Sequence, residues 1–414
     1  MGEGGGPVIA MDNRYSFKQY PRVDKVFLSK KSLNFDLMKS KVMIERKENA
    51  CTNFMTWLAY GLTGIGTGFV ASLMVWLEET STVWRANTVD SIISGTGGSA
   101  SGIWKAYAFF ALFSLACTLV ASLMTVYWGP GANGSGVAEL IGYMNGVNYP
   151  GVFGFATFFT KALGVVLAVV GGLTVGKEGP LAHIGANVGC FVPYIPCMDF
   201  NFLRNDSNKR HLIAAGTSAG VAAAFGAPIG GTLFSYEMSM SNTFWKFSII
   251  WKVFFTCALS CFSLAFFTAL YDFKEGGWAG LLSTNSGVLK FGVGGEEIAP
   301  PTLKVMPAAF FIGATCGFLG GMFVVVNNMM GFWRKHYITQ KWMRPVEAGI
   351  FSLIITSFFF WTPFVFANCI SNTNAGASQQ NLLVRYTCPE GSFNVVASMF
   401  MNTEGSAIRT IISS

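Results

Sequence analysis

Apolar runs long enough to enter or cross a bilayer recur along the chain, at residues 53–77, 104–128, 152–175, 181–194, 212–234, 244–270, 305–332 and 346–366. A full helical crossing takes about 20 apolar residues, so the run at 181–194 is too short to be a simple span. The run at 212–234 is interrupted by Gly226-Ala227-Pro228, and the run at 152–175 ends in Gly176-Lys177-Glu178-Gly179-Pro180 before apolar residues resume at Leu181. Runs that are short, or cut by glycine and proline, predict broken and re-entrant helices. Such backbone survives at membrane depth only when buried in protein or lining a cavity. That points to a transporter or channel and away from a receptor. The polar connections, at 78–102, 199–209, 272–304 and 367–393, are too short to form an independent soluble domain. The expected fold class is all-α, in a polytopic membrane protein.

Composition agrees with the pattern. The chain is 52% hydrophobic and 12% charged, against roughly 25% charged residues in soluble domains. Its 48 glycines and 39 phenylalanines fit membrane helices in close contact. The first fifty residues are polar and lack the apolar core of a cleavable signal peptide. The Met1-Gly2 start lacks the hydroxyl residue that a myristoylation signal needs at position six. Much of the net charge of +7 sits between Arg14 and Lys47, ahead of the first apolar run, which predicts a cytosolic N-terminal segment over residues 1–50. Acidic residues are interleaved there and aromatics are sparse, which argues against a nucleic-acid-binding arm. Cys51, Cys117, Cys190, Cys197, Cys257, Cys261 and Cys316 lie in or beside apolar segments and read as free thiols. Cys369 and Cys388 flank a polar loop, and a disulfide between them is expected if that loop is lumenal or extracellular.

Three glycine-rich breaks carry the candidate chemistry. Gly134-Ser135-Gly136 places a small hydroxyl between glycines ahead of a helix start, where it can cap the helix from Val137, present donors to an anion, or do both. In the second break, Gly176, Lys177, Glu178 and Gly179 put charge at the start of an apolar helix. A charge at membrane depth costs at least ~2.5–3.5 kcal/mol and persists mainly where function needs it. Residues 171–177 fit a phosphate-loop pattern, but Glu178 follows where Ser or Thr is required and no nucleotide domain surrounds it. A purely structural Lys177–Glu178 pair is the other alternative. The third break leads through Gly226-Ala227-Pro228-Ile229-Gly230-Gly231 to Leu233-Phe234-Ser235-Tyr236-Glu237-Met238, where Glu237 stands as a second carboxylate. A cap or interface charge is the plainer reading of Glu237.

In that order and spacing, from about Asn53 onward, the chain resembles the CLC family of chloride channels and chloride/proton exchangers. The segments Tyr386-Thr387-Cys388-Pro389-Glu390-Gly391 and Phe400-Met401-Asn402-Thr403-Glu404 are similar to its eukaryotic, organellar branch. The resemblance implies tilted, broken helices whose re-entrant N-termini bind anions, and a dimer with one pore per subunit. It implies that Ser135 coordinates chloride, with Gly134, Gly136, Gly176, Lys177 and Gly179 around the ion. It also implies that Glu178 is the gating glutamate, competing with chloride and carrying protons. Relatives with proline at the serine position tend toward nitrate, so Ser135 favours chloride.

Two departures qualify what the resemblance implies. Ala138 replaces a proline, and Met238 stands where exchangers carry the inner proton-accepting glutamate, leaving Glu237 as the remaining proton-pathway candidate. A thioether cannot carry a proton, so the expectation is chloride transport by passive conduction, with chloride/proton antiport as the alternative and a non-transporting fragment or dimerisation partner as a third. The resemblance also leads one to expect a further anion-binding loop, a chloride-coordinating tyrosine and nucleotide-binding CBS domains, none of which lies in these 414 residues. Residues 51–414 are thus expected to form an incomplete CLC membrane domain, in a piece of a longer protein or an incomplete gene model, with a divergent truncated paralogue as the alternative. Chloride, protons, the bilayer and a second copy are the expected partners. No cofactor, metal, nucleic acid or enzymatic activity is expected. The host membrane, endomembrane or plasma membrane, is left open.

Overall fold

A computed structural model of the chain describes residues 50–97, 99–147, 149–196, 200–239, 247–271, 306–366, 369–371, 384–389 and 391–402. The basic N-terminal segment, Cys197, the connection at 272–304, Glu390, and Thr403 and Glu404 lie outside the described residues. The described part is helical apart from one small hairpin. In chain order, α1 spans Ala50–Gly95, α2 Ala100–Leu123, α3 Val137–Met144, α4 Phe155–Val170, α5 Glu178–Phe191, α6 Asp206–Phe225, α7 Pro228–Ser239, α8 Phe247–Tyr271, α9 Met306–Tyr337 and α10 Met343–Val365. Strands β1 (Cys369–Ser371) and β2 (Ser392–Asn394) pair antiparallel, and α11 (Val395–Phe400) follows. Among the described residues five helices are long and apolar enough to cross a membrane: α1, α2, α8, α9 and α10. The fold is a polytopic, all-α membrane fold.

The expected breaks occur where glycine and proline place them. Gly226, at φ 63°, ends α6 in a left-handed cap, and Pro228 opens α7. Two boundaries differ from the sequence reading. The polar stretch after residue 77 does not end the first helix, because α1 continues as one helix of 46 residues to Gly95. Buried Glu78, Thr82, Arg85 and Val89 explain this: they recur at helical spacing, so the core-facing stripe runs on although its chemistry turns polar. At its far end α2 widens into a π-helical turn, Met124–Trp128, before the chain turns at Gly129.

The short helices are the ones held most closely. A methyl group built on Gly185 of α5 would collide with the carbonyl of Gly216 in α6, and one on Gly216 would collide with the carbonyl of Gly185. Gly189 and Gly220 meet the backbone at Leu212 and Leu181 in the same way. Helices α5 and α6 therefore touch backbone to backbone, which fixes the start of α5 relative to its neighbours. The hairpin is joined by a disulfide between Cys369 and Cys388, with Cα atoms 5.8 Å apart. From there α11 reaches back to the core, where Arg85 Nη2 donates to the Met401 carbonyl at 3.3 Å.

Candidate anion-binding site

The start of α5 and the loop ahead of α3 form one site. Lys177 is the N-cap of α5 and Glu178 its first helical residue. The first intrahelical bond runs from Leu181 N–H to the Lys177 carbonyl at 2.9 Å. The N–H groups of Glu178 and Gly179 precede that bond, at the positive end of the helix, where an anion is stabilised. A methyl group on Gly179 would come within 2.7 Å of Ser135 Cβ, so the hydroxyl-bearing loop lies directly against this helix start. The Glu178 carboxylate folds back over Gly176, where a side chain would strike its Oε2. Glu178 is half-buried and makes no hydrogen bond or ion pair among the described residues.

Ser135 has a geometry suited to both of its expected tasks. Its Oγ accepts from Val137 N–H at 3.3 Å, at the start of α3, while Gly136 occupies the N-cap position itself. Used as an acceptor there, the hydroxyl keeps its O–H proton available for a second partner. Gly136 is required twice over: its φ is 84°, and a side chain would strike the imidazole of His183. His183 is fully buried, and its Nε2–H donates to the Val152 carbonyl at 2.9 Å, holding the ring against the loop.

Lys161 supports the loop from behind. Its ammonium, on a residue only 2% exposed, donates to the carbonyls of Ala132 at 3.1 Å and Gly134 at 3.0 Å. The sequence reading did not single out Lys161, His183, Glu78 or Arg85. Lys161 and His183 had a detectable signal, each being a lone basic residue in an otherwise apolar run. Glu78 and Arg85 were concealed in what read as a polar connection.

Of the sequence candidates, Gly134, Ser135, Gly136, Gly176, Lys177, Glu178 and Gly179 belong to this one site. Lys177 is not paired with its neighbour Glu178 but with Glu78 of α1, at 3.3 Å. Glu237 and Met238 face different surroundings. Glu237 is exposed beside a cavity of about 400 Å³ bordered by Val221, Phe225 and Phe234. Met238 is buried among Leu140, Ala186 and Ile213.

Residues 116–403 match the family model described as voltage gated chloride channel. The chain belongs to this family. Among its CLC relatives, the mouse protein named H(+)/Cl(-) exchange transporter 7 is 30% identical over 401 residues, covering 93% of this chain and 48% of that protein. The Arabidopsis thaliana chloride channel protein CLC-a is 29% identical over 382 residues, covering 87% of this chain and 47% of that protein. The chain thus spans about half the length of the curated relatives it matches. A eukaryotic CLC transporter structure superposes with a TM-score of 0.54 at 18% identity, covering 84% of this chain and 59% of that one. A slow cyanobacterial Cl−/H+ antiporter gives 0.53 at 18%, covering 85% and 73%. At that identity the likeness concerns the CLC fold alone.

Proposed function

We propose that this chain contributes to chloride transport across a eukaryotic membrane, with Ser135 as a chloride ligand and Glu178 as the gate. The observation that carries the reading is the contact between the Ser135 loop and the first turn of α5, with the Glu178 carboxylate folded beside it. A chloride ion drawn to the free N–H groups must compete with that carboxylate, and protonation of Glu178 weakens the competitor. Glu178→Ala is expected to abolish gating or proton coupling while leaving chloride passage. A Glu178→Ala protein that behaves like the parent overturns the gate assignment.

For the mode of transport, the relatives named as H(+)/Cl(-) exchangers support proton-coupled exchange over passive conduction. One observation favours the second reading: Met238, at the expected proton-accepting position, is buried among apolar side chains and cannot titrate. Reversal potentials separate the two. A shift with the proton gradient at fixed chloride supports exchange, and potentials that follow chloride alone support conduction. A cytosolic N-terminal segment and a homodimeric assembly in the bilayer belong to the same proposal. Chloride flux through vesicles holding the purified chain tests it against an inert role.

A further inference from the structure

Glu78 is a buried carboxylate that gating by Glu178 does not use. It stands within α1, far from either end of that helix. Its side chain is 6% exposed, and its oxygen lies 3.3 Å from Nζ of Lys177, whose side chain is 30% exposed. Arg85, on the same face of α1, spends its Nη donors on the carbonyls of Val170 and Met401. Lys177 is therefore the cation that compensates Glu78 among the described residues. A buried ion pair is weak support for stability, since apolar groups of similar shape often serve as well. This pair is placed where its charge matters, because Lys177 caps the helix whose first N–H groups face the anion site.

We propose that Glu78 is a positioning residue for the anion site at the start of α5. Its carboxylate holds the Lys177 ammonium toward α1 and so limits the positive charge that the start of α5 presents to an incoming anion. The inference rests on reading this helix start as the chloride site. With the pair intact, the backbone N–H groups and the helix dipole attract the ion, and the ammonium is neutralised from behind. With the Glu78 charge removed, the ammonium turns its full charge toward the site.

The test is a double-mutant cycle on chloride binding, followed by calorimetry on the purified chain. A Glu178→Ala background is used so that a freed lysine has no carboxylate of the gate to pair with. Glu78→Gln is expected to tighten chloride binding by roughly threefold, the scale of a partly exposed charge interaction. Lys177→Met alone is expected to weaken binding, because it leaves the Glu78 charge uncompensated beside the site, and adding Glu78→Gln is expected to reverse that loss. Unchanged binding in Glu78→Gln, or a Lys177→Met loss that Glu78→Gln does not reverse, overturns the proposal. Should Glu78→Gln alone fail to purify as folded protein, Lys177→Met with and without Glu78→Gln still decides, because a loss that Glu78→Gln leaves in place overturns it as well. Chloride flux through vesicles tests the transport reading separately. Binding that depends on Lys177 in a chain that moves no chloride overturns transport and supports the role of Glu78.

Discussion

Helices α5 and α6 meet backbone to backbone, whereas every described side chain of α9 outside Gly331 is exposed. Both regions are apolar and rich in glycine, yet the glycines do different things. In α5 and α6, Gly185, Gly189, Gly216 and Gly220 each face a neighbouring backbone atom. In α9, Gly313, Gly317, Gly320 and Gly321 have nothing within 4 Å. The large residues differ as well. Phe310, Phe311, Phe318, Phe323 and Val324 of α9 present open apolar surface, which is stable only against lipid or apolar protein. The start of α5 is thus set by contacts within the described chain, while α9 depends on its surroundings.

The sharpest break of this comparison is one substitution made twice. Gly185→Leu forces a side chain into the Gly216 carbonyl and is expected to destabilise by more than ~3 kcal/mol, at or beyond the upper end for overpacking. Gly317→Leu meets no neighbour and is expected to leave the unfolding midpoint in detergent unchanged. If both glycines tolerate leucine, the α5–α6 contact is looser than described and the contrast fails.

Next comes Lys161→Met, which removes the donors to the Ala132 and Gly134 carbonyls behind Ser135. Hydrogen bonds from a charged donor contribute about 1.5–3 kcal/mol each, so a drop of a few kcal/mol in stability is expected, with weaker chloride binding. Thermal unfolding and calorimetry read the two effects. Ser135→Ala should act on the ligand alone. Losing one O–H donor to chloride costs about 1 kcal/mol, or roughly fivefold in affinity, with the unfolding midpoint held because the Val137 N–H is exposed enough to bond water. A Ser135→Ala chain that unfolds early would make the serine a helix cap first and a ligand second.

How much of this was legible in the sequence follows from the range of each signal. The break at Gly226-Ala227-Pro228 and the helix start at Glu178 are local, and glycine and proline announce them. The contact of Ser135 with Gly179 is not local; its reading rested on motif order matched to a family. The α1 extension was missed because a hydropathy window treats Glu78 and Arg85 as solvent-facing, when both are buried by partners distant in the chain. Lys177 was grouped with Glu178 by adjacency, but helical geometry turns its amine to α1. Pairing of distant charges cannot be read from spacing alone. The disulfide expectation required the loop's compartment; the fold brings Cys369 of β1 to Cys388, which precedes β2, with their Cα atoms 5.8 Å apart.

The smallest expected effect concerns the ion pair between α9 and α10. Arg334 Nε donates to Glu347 Oε1 at 2.5 Å, with the two side chains 52% and 25% exposed. Arg334, Lys335 and His336 occupy the last turn of α9, so this arginine also complements the negative end of the helix. Exposure lets water and salt screen the pair, and holding two long side chains in one geometry costs entropy. Arg334→Ala is accordingly expected to change stability by no more than about 0.5 kcal/mol, measured by thermal unfolding at low and high salt. A loss well above 1 kcal/mol that disappears in salt would mean that α9 is anchored electrostatically to α10. The contrast with the glycine-locked α5–α6 pair would then be one of mechanism, with charge in one region doing what backbone contact does in the other.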